Sequence, residues 1–157
     1  GLGDVYKRQN PLKATKFGLP FRHVPTYLAG YYKYKAGDQF TEGGKPVNGK
    51  RDICDIYAIM YETSESVPTL DGTNAFTSPN LISTARINNA KETNEWTYFK
   101  LPFTTLPGKF IDKEKLMDGK YNIAIVFTSS LEGDHFNGAI GSTLLIDEAE
   151  LIYHSED

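Results

Sequence analysis

A two-residue alternation of apolar and polar side chains recurs along almost the whole chain, and no helical period competes with it. The clearest instance is Ile53 to Glu62, ICDIYAIMYE. Cys54, Ile56, Ala58 and Met60 fall on one side of an extended backbone, and Ile53, Asp55, Tyr57, Ile59 and Tyr61 on the other, because successive strand side chains point to opposite faces. The same signature marks Tyr27–Lys35, Leu81–Ile87, Glu95–Phe103, Lys120–Thr128 and Ser142–Tyr153. Turn formers separate these runs: Ala36-Gly37-Asp38, Glu42-Gly43-Gly44, Asp71-Gly72-Thr73, Pro107-Gly108 and Asn137-Gly138. Only Asp112–Met117 has helical composition, for one or two turns. The chain is therefore all-β. Strands at this spacing predict a β-sandwich of two antiparallel sheets, and the long connection over 63–80 suits a jelly roll better than a closed barrel.

The chain has 157 residues, the size of one domain, and can bury roughly 70% of its unfolded surface without a disulfide or metal. Its net charge of −3 offers no basic stripe for a phosphate backbone, so a nucleic-acid partner is not expected. No apolar run approaches the ~20 residues of a transmembrane segment. The single cysteine, Cys54, rules out an internal disulfide and lies in a strand, as a buried structural thiol would. At the N-terminus, Asp4–Gln9 is what the codons GAT GTG TAT AAG AGA CAG encode, a string that resembles the transposase end sequence added to DNA in sequencing libraries. Residues 1–9 therefore read as an adaptor-derived tail, 10–25, with three prolines, as a linker or domain entry, and 26–157 as the jelly-roll domain.

Each sheet of a sandwich has one dry face and one outer face. Cys54, Ile56, Ala58 and Met60 form the drier side of their strand and are expected inward. Asp55, Tyr57 and Tyr61 are then expected outward, since a carboxylate buried mid-strand is costly unless paired. Trp96 and Tyr98 share one side of another strand with Lys100, and Tyr32 and Tyr34 share one side of a third. Sugars present apolar C–H faces and rings of hydroxyls; aromatic planes stack on the first, and carboxylates, amides and Arg bond the second. Two such sets on one outer face would make a sugar platform. The competing reading is that Tyr is a good strand former and that a Trp opening a strand packs a core or edge.

Hydrolysis of glycosides needs two carboxylates about 5–9.5 Å apart. Asp52 and Asp55 fall at odd and even positions and diverge, as do Asp55 and Glu62, and Asp147 and Glu150 alternate unless a bulge intervenes. The three histidines, His23, His135 and His154, are scattered without metal-ligand spacing. There is no G-x-S-x-G motif, and the Gly-rich stretch Gly133–Gly141 lacks the Lys and following helix of a phosphate loop.

Several stretches, GYYKYKAGDQF (30–40), DICDIYAIMYE (52–62), LDGTNAFTSPNLISTARI (70–87), NEWTYFKLPF (94–103) and KYNIAIVFTSSLEGDHFNGAIGSTLLIDEAELIY (120–153), together resemble the putative carbohydrate metabolism domain family of surface and periplasmic lipoproteins in glycan-foraging gut anaerobes. The resemblance implies a jelly roll like those of carbohydrate-binding modules, an upstream immunoglobulin-like domain, export to the outer-membrane surface or periplasm, and a lipobox cysteine outside this sequence. The ending GSTLLIDEAELIY (141–153) also resembles the last strand of sugar-binding jelly rolls, where a mid-strand Asp helps hold a structural Ca²⁺. Asp147 is the matching position; alternatively Asp147, Glu148 and Glu150 are an acidic edge that discourages strand pairing. Three functions stand side by side: a non-catalytic domain binding an oligo- or polysaccharide, a structural or adhesion module packed on an upstream domain, and a glycoside hydrolase.

Overall fold

The computed structural model describes residues 23–64 and 76–153. The proposed tail over 1–9, most of the entry segment, the Asp71-Gly72-Thr73 turn and His154 lie outside these residues. Among the described residues ten strands follow in chain order: β1 (Pro25–Lys35), β2 (Phe40–Glu42), β3 (Lys45–Pro46), β4 (Asp55–Glu62), β5 (Leu81–Arg86), β6 (Thr93–Pro102), β7 (Thr104–Thr105), β8 (Tyr121–Thr128), β9 (Asn137–Ala139) and β10 (Thr143–Tyr153). The six long strands are those the alternation marks, to within two residues at each end. The short β2, β3, β7 and β9 carry too few residues to show a period. One helix, α1 (Lys113–Met117), begins where the Asp112 carboxylate accepts from the amides of Glu114 and Lys115, at 2.8 and 3.2 Å.

All strand pairings are antiparallel. One sheet runs β10-β1-β6, a second β7-β5-β4-β8, and a small third sheet β3-β2-β9. The first two pack face to face as a β-sandwich. Their shared core joins Leu28, Tyr32 and Tyr34 of β1, Phe99 and Leu101 of β6, and Leu144 and Ile146 of β10 to Ile56, Ala58 and Met60 of β4 and Ile123, Ile125 and Phe127 of β8. Cys54 is buried in this core, as expected.

Two expectations about faces are overturned. Tyr32 and Tyr34 do not face outward; both are buried. Tyrosine suits such a position because its hydroxyl can reach the rim of the core: the Tyr34 hydroxyl donates to the Ser129 carbonyl at 2.7 Å, and the Tyr32 hydroxyl accepts from the Lys91 amide at 3.3 Å. On β4, the inward side is as expected, but Asp55, Tyr57 and Tyr61 on its other side are buried too. Tyr57 and Tyr61 join Ile59, Leu81, Ala124 and Val126 in a second apolar cluster, with Leu106 against it. β4 lies between β5 and β8 in the middle of its sheet, and a central strand covered on both faces carries apolar residues on both sides.

Asp52, just before β4, holds the far end of the sandwich together. Only 5% exposed, it accepts from the Ser130 and Ser142 hydroxyls, both at 2.6 Å, and from the Ala139 and Ile53 amides at 3.0 and 2.9 Å. These bonds tie the chain entering β4 to the segment between β8 and β10. At the opposite end, Pro25 of β1 stands beside Tyr153 of β10.

Candidate functional site

With both faces of the four-stranded sheet buried along β4 and β8, the open aromatic face belongs to the three-stranded sheet. Alternation along β1 sends Leu28, Tyr32 and Tyr34 into the core and leaves Tyr31, Lys33 and Lys35 outside. On β6, Phe99 and Leu101 point in, while Trp96, Tyr98 and Lys100 point out. Tyr31 stands directly opposite Tyr98 in the β1–β6 register. Their rings lie 5.2 Å apart at 55°, a tilted pair that leaves ring surface toward solvent. Tyr31 is 36% exposed, Trp96 41% and Tyr98 52%. Two cations rest on neighbouring rings: Lys33 Nζ lies 4.8 Å from the Trp96 centroid and Lys100 Nζ 4.3 Å from that of Tyr27.

The third wall is built by a β-bulge. In the β1–β10 register, Tyr31 faces Asp147 and Ala29 faces Glu150, so Glu148 and Ala149 together stand opposite the single residue Gly30. Glu148 takes a left-handed backbone conformation, φ 51°, and its amide donates to the Asp147 carboxylate at 2.9 Å. The extra residue resets the alternation, so that Asp147 and Glu150 both fall on the outer face. Gly30 makes room for this: a Cβ there would stand 2.9 Å from Phe99 Cζ and 3.1 Å from Ala149 Cα. The outcome is a shallow open groove of about 590 Å³ lined by Gly30, Tyr31, Tyr98, Glu148, Ala149 and Glu150. Its floor and one side are aromatic and its opposite rim carries carboxylates.

The expected site residues are thus divided. Trp96 and Tyr98 lie on the open face. Tyr32 and Tyr34 lie beneath it in the core, and Asp55, Tyr57 and Tyr61 lie on the other sheet. Asp55 is paired rather than exposed: Arg86 Nε and a terminal guanidinium nitrogen donate to its two oxygens at 3.2 and 2.6 Å. The same guanidinium lies 4.3 Å from the Phe76 ring and 5.5 Å from that of Tyr57, and the two rings meet edge to face at 4.8 Å. This closes the outer face of β4 near its start. Tyr31 and Lys33 join the open face without having been expected there, and Glu148 and Glu150, expected only as an acidic edge or a carboxylate pair, line the groove. The signal for the first two is legible in YLAGYYKYK: the side of β1 that carries two lysines cannot be the core side.

Calcium takes six to eight oxygens, and among the described residues no group of three or more His, Cys, Asp or Glu side chains, around Asp147 or elsewhere, is placed to hold a metal ion. His23 lies edge-on to Tyr153 with centroids 6.0 Å apart, and His135 sits in the 3₁₀ turn Gly133–His135. Among the described residues, no helix is long and apolar enough to cross a membrane.

Residues 2–152 match the family model described as the putative carbohydrate metabolism domain. Two solved structures are similar. One, described as a putative glycoside hydrolase from Bacteroides thetaiotaomicron VPI-5482, is 89% identical with a TM-score of 0.86, over 93% of this chain and 43% of that one. The other, described as a putative glycoside hydrolase from Bacteroides vulgatus ATCC 8482, is 47% identical with a TM-score of 0.81, over 92% of this chain and 58% of that one. The chain therefore spans about half the length of these relatives. No curated protein matches it.

Proposed function

The chain belongs to the putative carbohydrate metabolism domain family, and from that premise we propose that it is a carbohydrate-binding domain whose ligand lies on the outer face of the β10-β1-β6 sheet. The observation that carries this reading is the Tyr31–Tyr98 ring pair beside the bulged carboxylate rim. Tilted rings give a hexopyranose two apolar surfaces for its C–H face. Glu148 and Glu150, on the groove's rim, offer acceptors for ring hydroxyls. Trp96 extends the aromatic surface along β6. An exported, membrane-tethered lipoprotein would use such an open face to hold a polysaccharide segment rather than to enclose a small molecule, and a domain preceding this one would present it. Calcium has no part in the proposal.

Glycan-array binding followed by titration calorimetry tests it. Tyr98→Ala and Tyr31→Ala should each weaken binding about tenfold or more, in line with the cost of removing a central aromatic contact. Tyr57→Ala should leave the affinity of the folded fraction unchanged. Loss of binding in Tyr57→Ala at full folding, with Tyr98→Ala unaffected, would reverse the assignment of faces.

A second reading has its own observation. The bulge that resets β10 brings Asp147 and Glu150 to the same face, removing the objection that they alternate, and the two solved relatives are described as putative glycoside hydrolases. If the face cleaves what it holds, reducing ends will accumulate from a bound glycan, and Asp147→Asn or Glu150→Gln will abolish the release while binding persists. A bound glycan left intact by the full-length relative rejects this reading.

A further inference from the structure

The groove has a charge asymmetry that selects among sugars. Its rim facing the tyrosine pair consists of Glu148, Ala149 and Glu150, so both ionisable groups lining it are acids. Of the positive charges on the same face, Lys33 lies over the Trp96 ring and Lys100 over the Tyr27 ring, Lys35 stands at the end of β1, and none of the three lines the groove. A pyranose stacked on Tyr31 and Tyr98 must therefore turn its polar edge toward two carboxylates. We propose that the groove takes uncharged hexose units and turns away glycans carrying uronate or sulfate; this rests on the carbohydrate-binding reading above.

The chemistry is one of matched donors. An ionised carboxylate accepts only, with two oxygens able to hold two hydroxyl protons. Neighbouring hydroxyls of a neutral hexose supply those protons. A sugar carboxylate or sulfate supplies none, and adds a like charge within a few ångströms of Glu148 and Glu150. The left-handed bulge at Glu148 is what keeps these carboxylates on the outer rim; in an unbulged strand Glu148 and Glu150 would both continue the side of Leu144 and Ile146, into the sandwich.

The test uses neutral hexasaccharides of glucose, mannose and galactose, each beside its C6-oxidised uronate, titrated into the full chain. The neutral member of a binding pair should bind about tenfold more tightly at low salt, the size expected for one like-charge contact at a partly solvated site. The ratio should shrink in 0.5 M NaCl as the repulsion is screened. The double variant E148Q/E150Q, whose melting temperature reports its folding, should narrow the ratio to about threefold or less, and E150Q alone should move it in the same direction. Equal or tighter binding of the uronate overturns this inference while leaving the carbohydrate-binding reading intact, as does a ratio that the glutamine variants fail to move. Silence on every neutral and oxidised member overturns both.

Discussion

Asp52→Ala should cost about 3–5 kcal/mol of folding stability, and the structure says where that figure comes from. The carboxylate is buried, and its partners are two hydroxyls and two backbone amides rather than a cation. Hydrogen bonds to a charged group contribute about 1.5–3 kcal/mol each, but they are not additive within one network. Serine hydroxyls can rotate to other acceptors once the carboxylate is gone; Ala139 N–H cannot, and Ala139 is itself buried. Leaving one such amide unsatisfied costs about 1–3 kcal/mol. Adding the loss of the shared anchor for the Ser130 and Ser142 segments brings the total to about 3–5 kcal/mol. For a domain of this size that lowers the melting temperature by about 10 °C. Asp52→Asn keeps the volume and one acceptor oxygen and should lose only about 1–2 kcal/mol. Urea titrations followed by circular dichroism measure both, with an unchanged m-value showing that the unfolding reaction is the same. Binding at the tyrosine groove should be untouched below the melting range, because Asp52 is buried at the entry to β4 and lines no part of the groove. An alanine variant that loses less than about 1 kcal/mol would refute the argument that this carboxylate pins the far end of the sandwich.

Other outcomes follow from the same packing. Tyr57→Ala should destabilise by about 3–5 kcal/mol and Tyr98→Ala by less than about 1 in parallel urea titrations, since one ring is buried and the other stands in solvent. Arg86→Ala leaves the buried Asp55 carboxylate without its partner and should lower stability by about 2–3 kcal/mol, below the full cost of breaking a buried pair because the Arg86 side chain is 42% exposed; Asp55→Asn in the same background should recover part of the loss. Burial, and behind it the charge of Asp55, pushes the Cys54 thiol up to about 12. The native state therefore keeps a proton that the unfolded chain releases from about pH 8.5, so this contribution is complete below that pH and fades as pH rises toward 12. Wild type should lose stability faster than Cys54→Ala between pH 9 and 10.5, measured as the shift in urea midpoint. Gly30→Ala should cost about 1–3 kcal/mol and weaken glycan binding, because its methyl group displaces either the Phe99 ring or the backbone of the bulge.

The long strands were legible because each repeats its alternation several times. Which side faced the core was legible only where a charge marked the other side. Lys33 and Lys35 identify the outer side of β1, and Lys100 that of β6; reading them assigns Tyr31, Trp96 and Tyr98 outward and sends Tyr32 and Tyr34 in. On β4 that guide failed. Asp55 sits among Tyr57, Ile59 and Tyr61, its partner Arg86 is 31 residues away in sequence, and the strand's other charge, Glu62, is only its last residue. No local pattern announces a pairing across strands. The bulge at Glu148 was equally silent, because it depends on a glycine in β1 making space for β10.

The meeting of Pro25 with Tyr153 has a mechanical consequence. β1 and β10 are antiparallel neighbours, and both chain ends leave from the same end of that ladder. Tension applied through those ends loads the cross-strand hydrogen bonds one rung at a time, as in opening a zip, instead of shearing them all at once. Peeling would begin at Pro25 and Tyr153, and after the first few rungs it would reach the bulge that shapes the groove. Such peeling would undo the groove before the core of β4 and β8 came apart.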